Sequence, residues 1–217
     1  MRKIGLFGGT FNPIHNGHLI IAEQVRSIIN LDVVYFIPSF IPPHKTTIHH
    51  THRKSMVEIS IKDRCSFYTS LIEINRGAIS YTVDTIKEFK SILGDVELFF
   101  IIGSDAFLEI HTWERGEDIL NLCKFVIINR SAGDYHRIIN NSSKLFVDNY
   151  RFRSLQIIEP NNLEYVDNNS IPYMNMEPIG ISSTQIRRLV KNNKSIRYLV
   201  NDDVIDYIRE YNLYKEE

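Results

Sequence analysis

The stretch from position 3 to position 29, KIGLFGGTFNPIHNGHLIIAEQVRSII, constrains the fold more than any other part of the chain. Residues 3–7 are an apolar run that suits a buried strand. Gly8, Gly9, Thr10, Phe11, Asn12 and Pro13 then break regular structure. Paired glycines admit positive φ and let a ligand come close to the backbone, and Pro13 cannot continue a central strand. From Gly17 onward Ile21, Val25, Ile28 and Ile29 recur at helical spacing, with Asn16 expected as the N-cap. Strand, glycine turn and helix together aim free backbone N–H groups and a helix N-terminus at an anion. His15 and His18 sit at that mouth and can face the same way. A helix N-terminus lowers a histidine pKa, whereas a bound phosphate favours the protonated, donating form. One histidine there reads as part of a capping turn; two, beside a double glycine and a proline, read as an anion site.

The 217 residues fit one domain over 1–217, with a small C-terminal helical portion from about 181 to 217. A chain of this length buries roughly 70% of its unfolded surface, so it needs no disulfide or metal staple. A net charge of −1 argues against a polyanion-binding face, so nucleic acid is not an expected partner. Cys65 and Cys123 form no C-x-x-C pair and read as buried apolar side chains. The N-terminus enters a strand at once and no apolar run reaches about 18 residues, so a cytoplasmic protein without a membrane span is expected.

Further along, residues 32–38 (DVVYFIP) suit a parallel strand buried on both faces. They lead into a proline-stiffened loop over 39–45 and a histidine-rich loop over 46–52. His49, His50 and His52 lack a carboxylate or thiolate companion, so no metal site is expected and the segment reads as solvated and mobile. A helix follows over 53–61 with Met56, Ile59 and Ile61 on one side, then a strand over 66–74. Ser80 to Thr85 opens a helix capped by Thr82 or Asp84, with Val83, Ile86 and Phe89 inward and Gly94 with Asp95 at its end. Residues 96–102 (VELFFII) are the most apolar strand and end in Gly103, Ser104 and Asp105. Trp113 lies in a loop before a short helix over 116–122, and residues 124–129 form another strand. The Asn-rich span 131–180 yields only a helix near 135–140 and short strands near 155–158 and 173–177. Helices over 185–190 and 202–211 close the chain. Strands alternating with helices predict an α/β fold built on a doubly wound parallel sheet.

In such a sheet ligands bind beyond the carboxyl ends of the strands, where the winding reverses. If the first strand neighbours VELFFII, the turn at Gly8 faces Gly103 and Asp105. Asp105 can then accept hydrogen bonds from a ribose diol, though an Asp at a strand end is as often a helix cap. Ser182, Ser183 and Thr184 precede an apolar helix as an N-cap. With Arg187 and Arg188 they also make a second anion site, because arginine grips phosphate with a fork of donors.

GGTFNPIHNGH resembles the G-x-F-x-P-x-H-x-G-H signature of the nucleotidyltransferase superfamily, and ISSTQIRR at 181–188 is similar to its I-S-x-T-x-x-R motif. The bacterial nicotinate-nucleotide adenylyltransferases match further, through IPPHK at 41–45, Arg53, Met56, SYTVDT at 80–85, FIIGSDAF at 100–107, Thr112, Trp113 and Arg130. The resemblance implies a Rossmann-like nucleotidyltransferase fold. It implies ATP phosphates at His15, His18, Ser182, Ser183, Thr184 and Arg187, with adenosine near Gly8, Gly9, Thr10, Phe11, Gly103 and Asp105. It puts the pyridine of nicotinate mononucleotide on Trp113, its carboxylate at Thr82 and nearby backbone N–H groups beside Tyr81, and phosphate contacts at Lys45 and Arg130. Mg²⁺ comes with ATP, and a homo-oligomer stays open. Ser39 and Phe40 depart from the asparagine many relatives carry near the carboxylate, and Ser131 from a common proline.

The implied chemistry is displacement at the α-phosphorus of ATP by the mononucleotide 5′-phosphate, releasing pyrophosphate. A phosphate monoester is already an anion, so no general base and no covalent intermediate is expected; positioning and electrostatics carry the reaction. Transfer to another phosphate, such as phosphopantetheine, is the rival within the superfamily; the 80–82 and Trp113 segments speak against it. A tRNA-ligase relative is disfavoured because no K-M-S-K-S follows. A non-catalytic nucleotide sensor is the rival from another class, and the intact histidine pair and Arg187 speak against that.

Overall fold

The computed structural model describes residues 1–43, 46–129, 133–145, 154–159 and 170–215. Strands β1 (Arg2–Gly9), β2 (Val33–Pro38), β3 (Phe67–Thr69), β4 (Val96–Gly103), β5 (Lys124–Ile128), β6 (Ser154–Ile158) and β7 (Ser170–Met174) share one sheet, in the order 3-2-1-4-5-7-6. Every pairing is parallel. The chain winds outward from β1 to β3, then returns to lay β4 against the other side of β1, with Leu6 opposite Phe100. Winding therefore reverses between β1 and β4, as the doubly wound reading requires.

The helices are α1 (Asn16–Ile29), α2 (His50–Ile61), α3 (Ile72–Arg76), α4 (Thr82–Leu93), α5 (Ser104–Leu108), α6 (Gly116–Leu122), α7 (Asp134–Leu145), α8 (Ser183–Lys191) and α9 (Asp202–Glu210). A two-residue repeat divides each buried strand between two cores. Val34 and Phe36 pack with α1, α2, α8 and α9 through Val25, Met56, Ile186 and Val204. Val33 and Ile37 pack on the opposite face with α4, α5, α6 and α7 through Ile86, Phe107, Ile119 and Ile138. Burying one such aliphatic side chain stabilises the fold by about 1.5–3 kcal/mol. The C-terminal helices α8 and α9 thus share a core with α1.

Several local expectations fail for identifiable reasons. Residue His15, not Asn16, caps α1, because a reciprocal pair of bonds with His18 replaces the asparagine cap; Asn16 instead gives its Nδ2 to the Tyr198 carbonyl at 2.8 Å. The strand over 66–74 shrinks to β3, and residues 72–76 turn into α3, closed by Gly77 at φ 66°. Alternating Leu71, Ile72 and Ile74 fit either period; Gly77, a helix stop, was the signal against a strand. The 46–52 loop is overturned in part. There His49 caps α2, and its first turn carries His50, packed 4.6 Å from the Phe40 ring, and His52, whose Nδ1 lies 3.1 Å from the Tyr207 hydroxyl. Neither Thr82 nor Asp84 caps α4; Tyr81 holds that position without a side-chain bond. Of the cysteines Cys123 is buried, its thiol pushed up to about 12 by burial, whereas Cys65 is exposed.

Candidate active site

At the mouth of β1 both glycines stay in the strand, and the left-handed conformation falls on Phe11, at φ 48°. The glycines serve close approach instead: a Cβ on Gly9 would lie 2.9 Å from the Phe11 ring. That ring is buried and stands edge-on to His18 at 5.1 Å, so Phe11 supports His18 from beneath. The Asn12–Pro13 peptide is cis. The His15 N–H donates to His18 Nδ1 at 3.2 Å, which places the proton of a neutral His18 ring on Nε2. The two imidazoles stack at 3.6 Å.

The second helix opening closes on this turn. Ser182 caps α8 by accepting the Gln185 N–H at 3.2 Å. The Ser183 hydroxyl donates to the Pro13 carbonyl at 2.8 Å, and Arg187 Nη1 donates to the Asn12 carbonyl at 2.8 Å. Arg187 Nη2 reaches Thr184 Oγ1 at 3.3 Å. The Tyr214 hydroxyl donates to Asn12 Oδ1 at 2.9 Å, and the Asn16 N–H to the Leu199 carbonyl at 2.9 Å. Residues 12–16 are therefore gripped by residues 183–214, and the starts of α1 and α8 stand at one place. Burial pushes the Tyr214 phenol up, against the pull of Arg187 and Arg53.

Across the switch point, Gly103 caps α5 and Asp105 lies exposed in its first turn. Between them Ser104 is buried and donates to Asp134 Oδ2 at 2.6 Å, which ties α5 to α7. Gly8 sits under the Phe100 ring, about where a Cβ would make 3.7 Å contact, and Phe100 meets Trp113 edge-on at 6.4 Å. Trp113 and Tyr81 are half-buried against the same apolar cluster. Thr82 opens α4, whose first N–H groups have no side-chain cap and so remain available. A carboxylate is the natural partner for such a helix start. Lys45 and Arg130 lie outside the described residues.

Sequence reasoning gave no role to Arg53, which is fully buried. Its guanidinium donates to the carbonyls of Thr10 at 2.8 Å, Phe40 at 2.9 Å and Ile48 at 3.2 Å. Burial lowers its pKa. Arg53 stands three and four positions before Met56 and Val57, on the buried face of α2, whereas Lys54 faces outward to Glu58; a charge on an apolar face is what sequence reasoning passed over. Asn12 and Tyr214 were likewise invisible, since their pairing spans nearly the whole chain. Among the described residues no group of three or more His, Cys, Asp or Glu could hold a metal ion, and no helix is long and apolar enough to cross a membrane.

The Cytidylyltransferase-like family model matches residues 6–189. A probable nicotinate-nucleotide adenylyltransferase of Thermoanaerobacter sp. (strain X514) is 39% identical over 99% of this chain and 95% of its own length. One from Pelobacter propionicus is 39% identical over 99% of both. Among solved structures, Plasmodium falciparum nicotinic acid mononucleotide adenylyltransferase complexed with NaAD superposes with a TM-score of 0.76 at 20% identity, covering 100% of this chain and 99% of the other. That likeness shows the fold, and the curated relatives narrow the lineage. The chain belongs to the cytidylyltransferase-like family and, within it, to the nicotinate-nucleotide adenylyltransferases.

Proposed function

We propose that the protein transfers the adenylyl group of ATP to the 5′-phosphate of nicotinate mononucleotide, giving nicotinate adenine dinucleotide and pyrophosphate. The observation that carries this reading is the grip of Ser183 and Arg187 on the Asn12–Pro13 carbonyls, beside His15 and His18. Two helix starts, two imidazoles and a guanidinium at one place suit a triphosphate. In this reading His18 Nε2–H donates to the α-phosphate and Arg187 leaves the Asn12 carbonyl for the leaving pyrophosphate, with Ser182, Ser183 and Thr184 holding its oxygens. Gly8, Gly9 and Thr10 let the polyphosphate lie against backbone, and Gly103 with Asp105 receives the ribose. Trp113 stacks on the pyridine ring, and the N–H groups of Thr82 and its neighbour receive the carboxylate beside Tyr81. The attacking 5′-phosphate oxygen forms a bond to the α-phosphorus as the bond to the bridging oxygen of pyrophosphate breaks; no proton needs removing. Mg²⁺ accompanying ATP would be held mainly by the phosphates and would neutralise charge there. We read 1–217 as one working domain of a cytoplasmic enzyme.

Incubation with ATP and nicotinate mononucleotide should give a dinucleotide by mass spectrometry and one pyrophosphate per product. Absence of both, with the protein folded, ends the proposal. The amide mononucleotide should be the poorer substrate.

A further inference from the structure

Behind the expected pyridine site two buried ionisable side chains are joined through the backbone of one residue. Arg53 donates to the Phe40 carbonyl at 2.9 Å, and the Phe40 N–H donates to Ser80 Oγ at 2.9 Å. The Ser80 hydroxyl neighbours Glu73 and favours its charged form against burial; Glu73 is 7% exposed and accepts from the Thr85 hydroxyl at 2.7 Å. The Ser80 N–H donates to the Ile41 carbonyl at 3.0 Å, and Ile41 bridges Ile79. The four hydrogen-bond partners of the Arg53 guanidinium are neutral oxygens, the last being Ser39 Oγ at 3.4 Å. A buried cation without a carboxylate in contact is costly, and a plain cross-link between loops does not need one.

We propose that the relay Arg53–Phe40–Ser80–Glu73 is a positioning device that sets the mononucleotide pocket. It fixes the 39–41 loop against the segment that opens α4, and thereby sets how well the enzyme holds the carboxylated ring. Ser80 immediately precedes Tyr81 and Thr82, so the Phe40 N–H that holds its hydroxyl helps decide where the first N–H groups of α4 point. Arg53 also holds the Thr10 carbonyl, which locks the same loop to the phosphate turn. The inference rests on the adenylyl-transfer reading of the site, and none of Arg53, Ser80 or Glu73 touches substrate in it.

The test compares Ser80→Ala, Ser80→Thr and Arg53→Lys by initial rates with each substrate varied, and follows Tm. Ser80→Ala should raise KM for nicotinate mononucleotide about 10-fold, the equivalent of one lost hydrogen bond, while KM for ATP changes less than about two-fold and the preference over the amide narrows. Ser80→Thr, which keeps the hydroxyl, should restore the wild-type value. Arg53→Lys cannot reach three carbonyls and should raise both KM values. An unchanged mononucleotide KM in Ser80→Ala, or equal increases in both KM values with no rescue by threonine, overturns the relay while leaving the enzyme's activity established. A folded wild type that makes no dinucleotide overturns the function and this inference together.

Discussion

At the proposed phosphate end of the cleft, His18, Ser183 and Arg187 present side chains, and each is held by a bond to a residue distant in sequence or by a stacked neighbour. At the pyridine end, Thr82 offers little more than a helix start, and the specific bonds lie one layer back, at Ser80, Glu73 and Arg53. On the proposed reading the first region stabilises charge that changes during reaction, and the second holds a ring and a carboxylate that do not change. Side-chain donors can be aimed at a transition state, whereas a backbone edge needs only a rigid frame.

If that division is right, substitutions at the two ends fail in different ways. His18→Ala should give the largest effect, a fall in kcat of about 10²–10³-fold with little change in either KM, because its donor acts on charge that develops late. Turnover within a few-fold of wild type would remove His18 from the phosphate end. Trp113→Ala should act on binding: loss of an aromatic contact of about 0.5–1.5 kcal/mol raises KM for the mononucleotide roughly 2- to 12-fold and spares ATP. A parallel rise for ATP would show that the ends are not separate. Tyr214→Phe removes the bond to Asn12 and should lower stability by about 0.5–1.5 kcal/mol, measured by urea unfolding, with a smaller fall in kcat.

The smallest effect is on pH dependence. Burial raises the Glu73 pKa above its ordinary 4.5, against the lowering pull of Ser80 and Thr85. The folded state then binds more protons than the unfolded one in that interval, so this residue's contribution is fully present below pH 4.5 and is lost as pH rises through the folded pKa. Glu73→Gln should flatten that slope in the stability profile; an unchanged slope would mean the carboxyl is better solvated than its surroundings indicate.

The sheet and its switch point were legible because β1, β2, β4 and β5 are apolar runs, each bounded by glycine, proline or a polar turn. The convergence of α1 and α8 was also legible, since each helix start carries hydroxyls, imidazoles or arginine in a compact pattern. What stayed hidden is what depends on contacts across long separations. Arg53 matches the family pattern but shows no role until Thr10 and Phe40 are seen to surround it, and Tyr214 carries no signal until it meets Asn12. The capping role of His15 escaped notice for a different reason: asparagine is the commoner N-cap, and only the reciprocal His18 bond reverses the preference.

The bond from Tyr214 to Asn12 spans 202 positions of the chain. All seven strands of the sheet precede α8 in sequence, so the sheet is specified before the residues that clasp the turn at His15. Losing the segment that carries Leu213 and Tyr214 would therefore act twice, on the core that Leu213 joins and on the turn that holds His15.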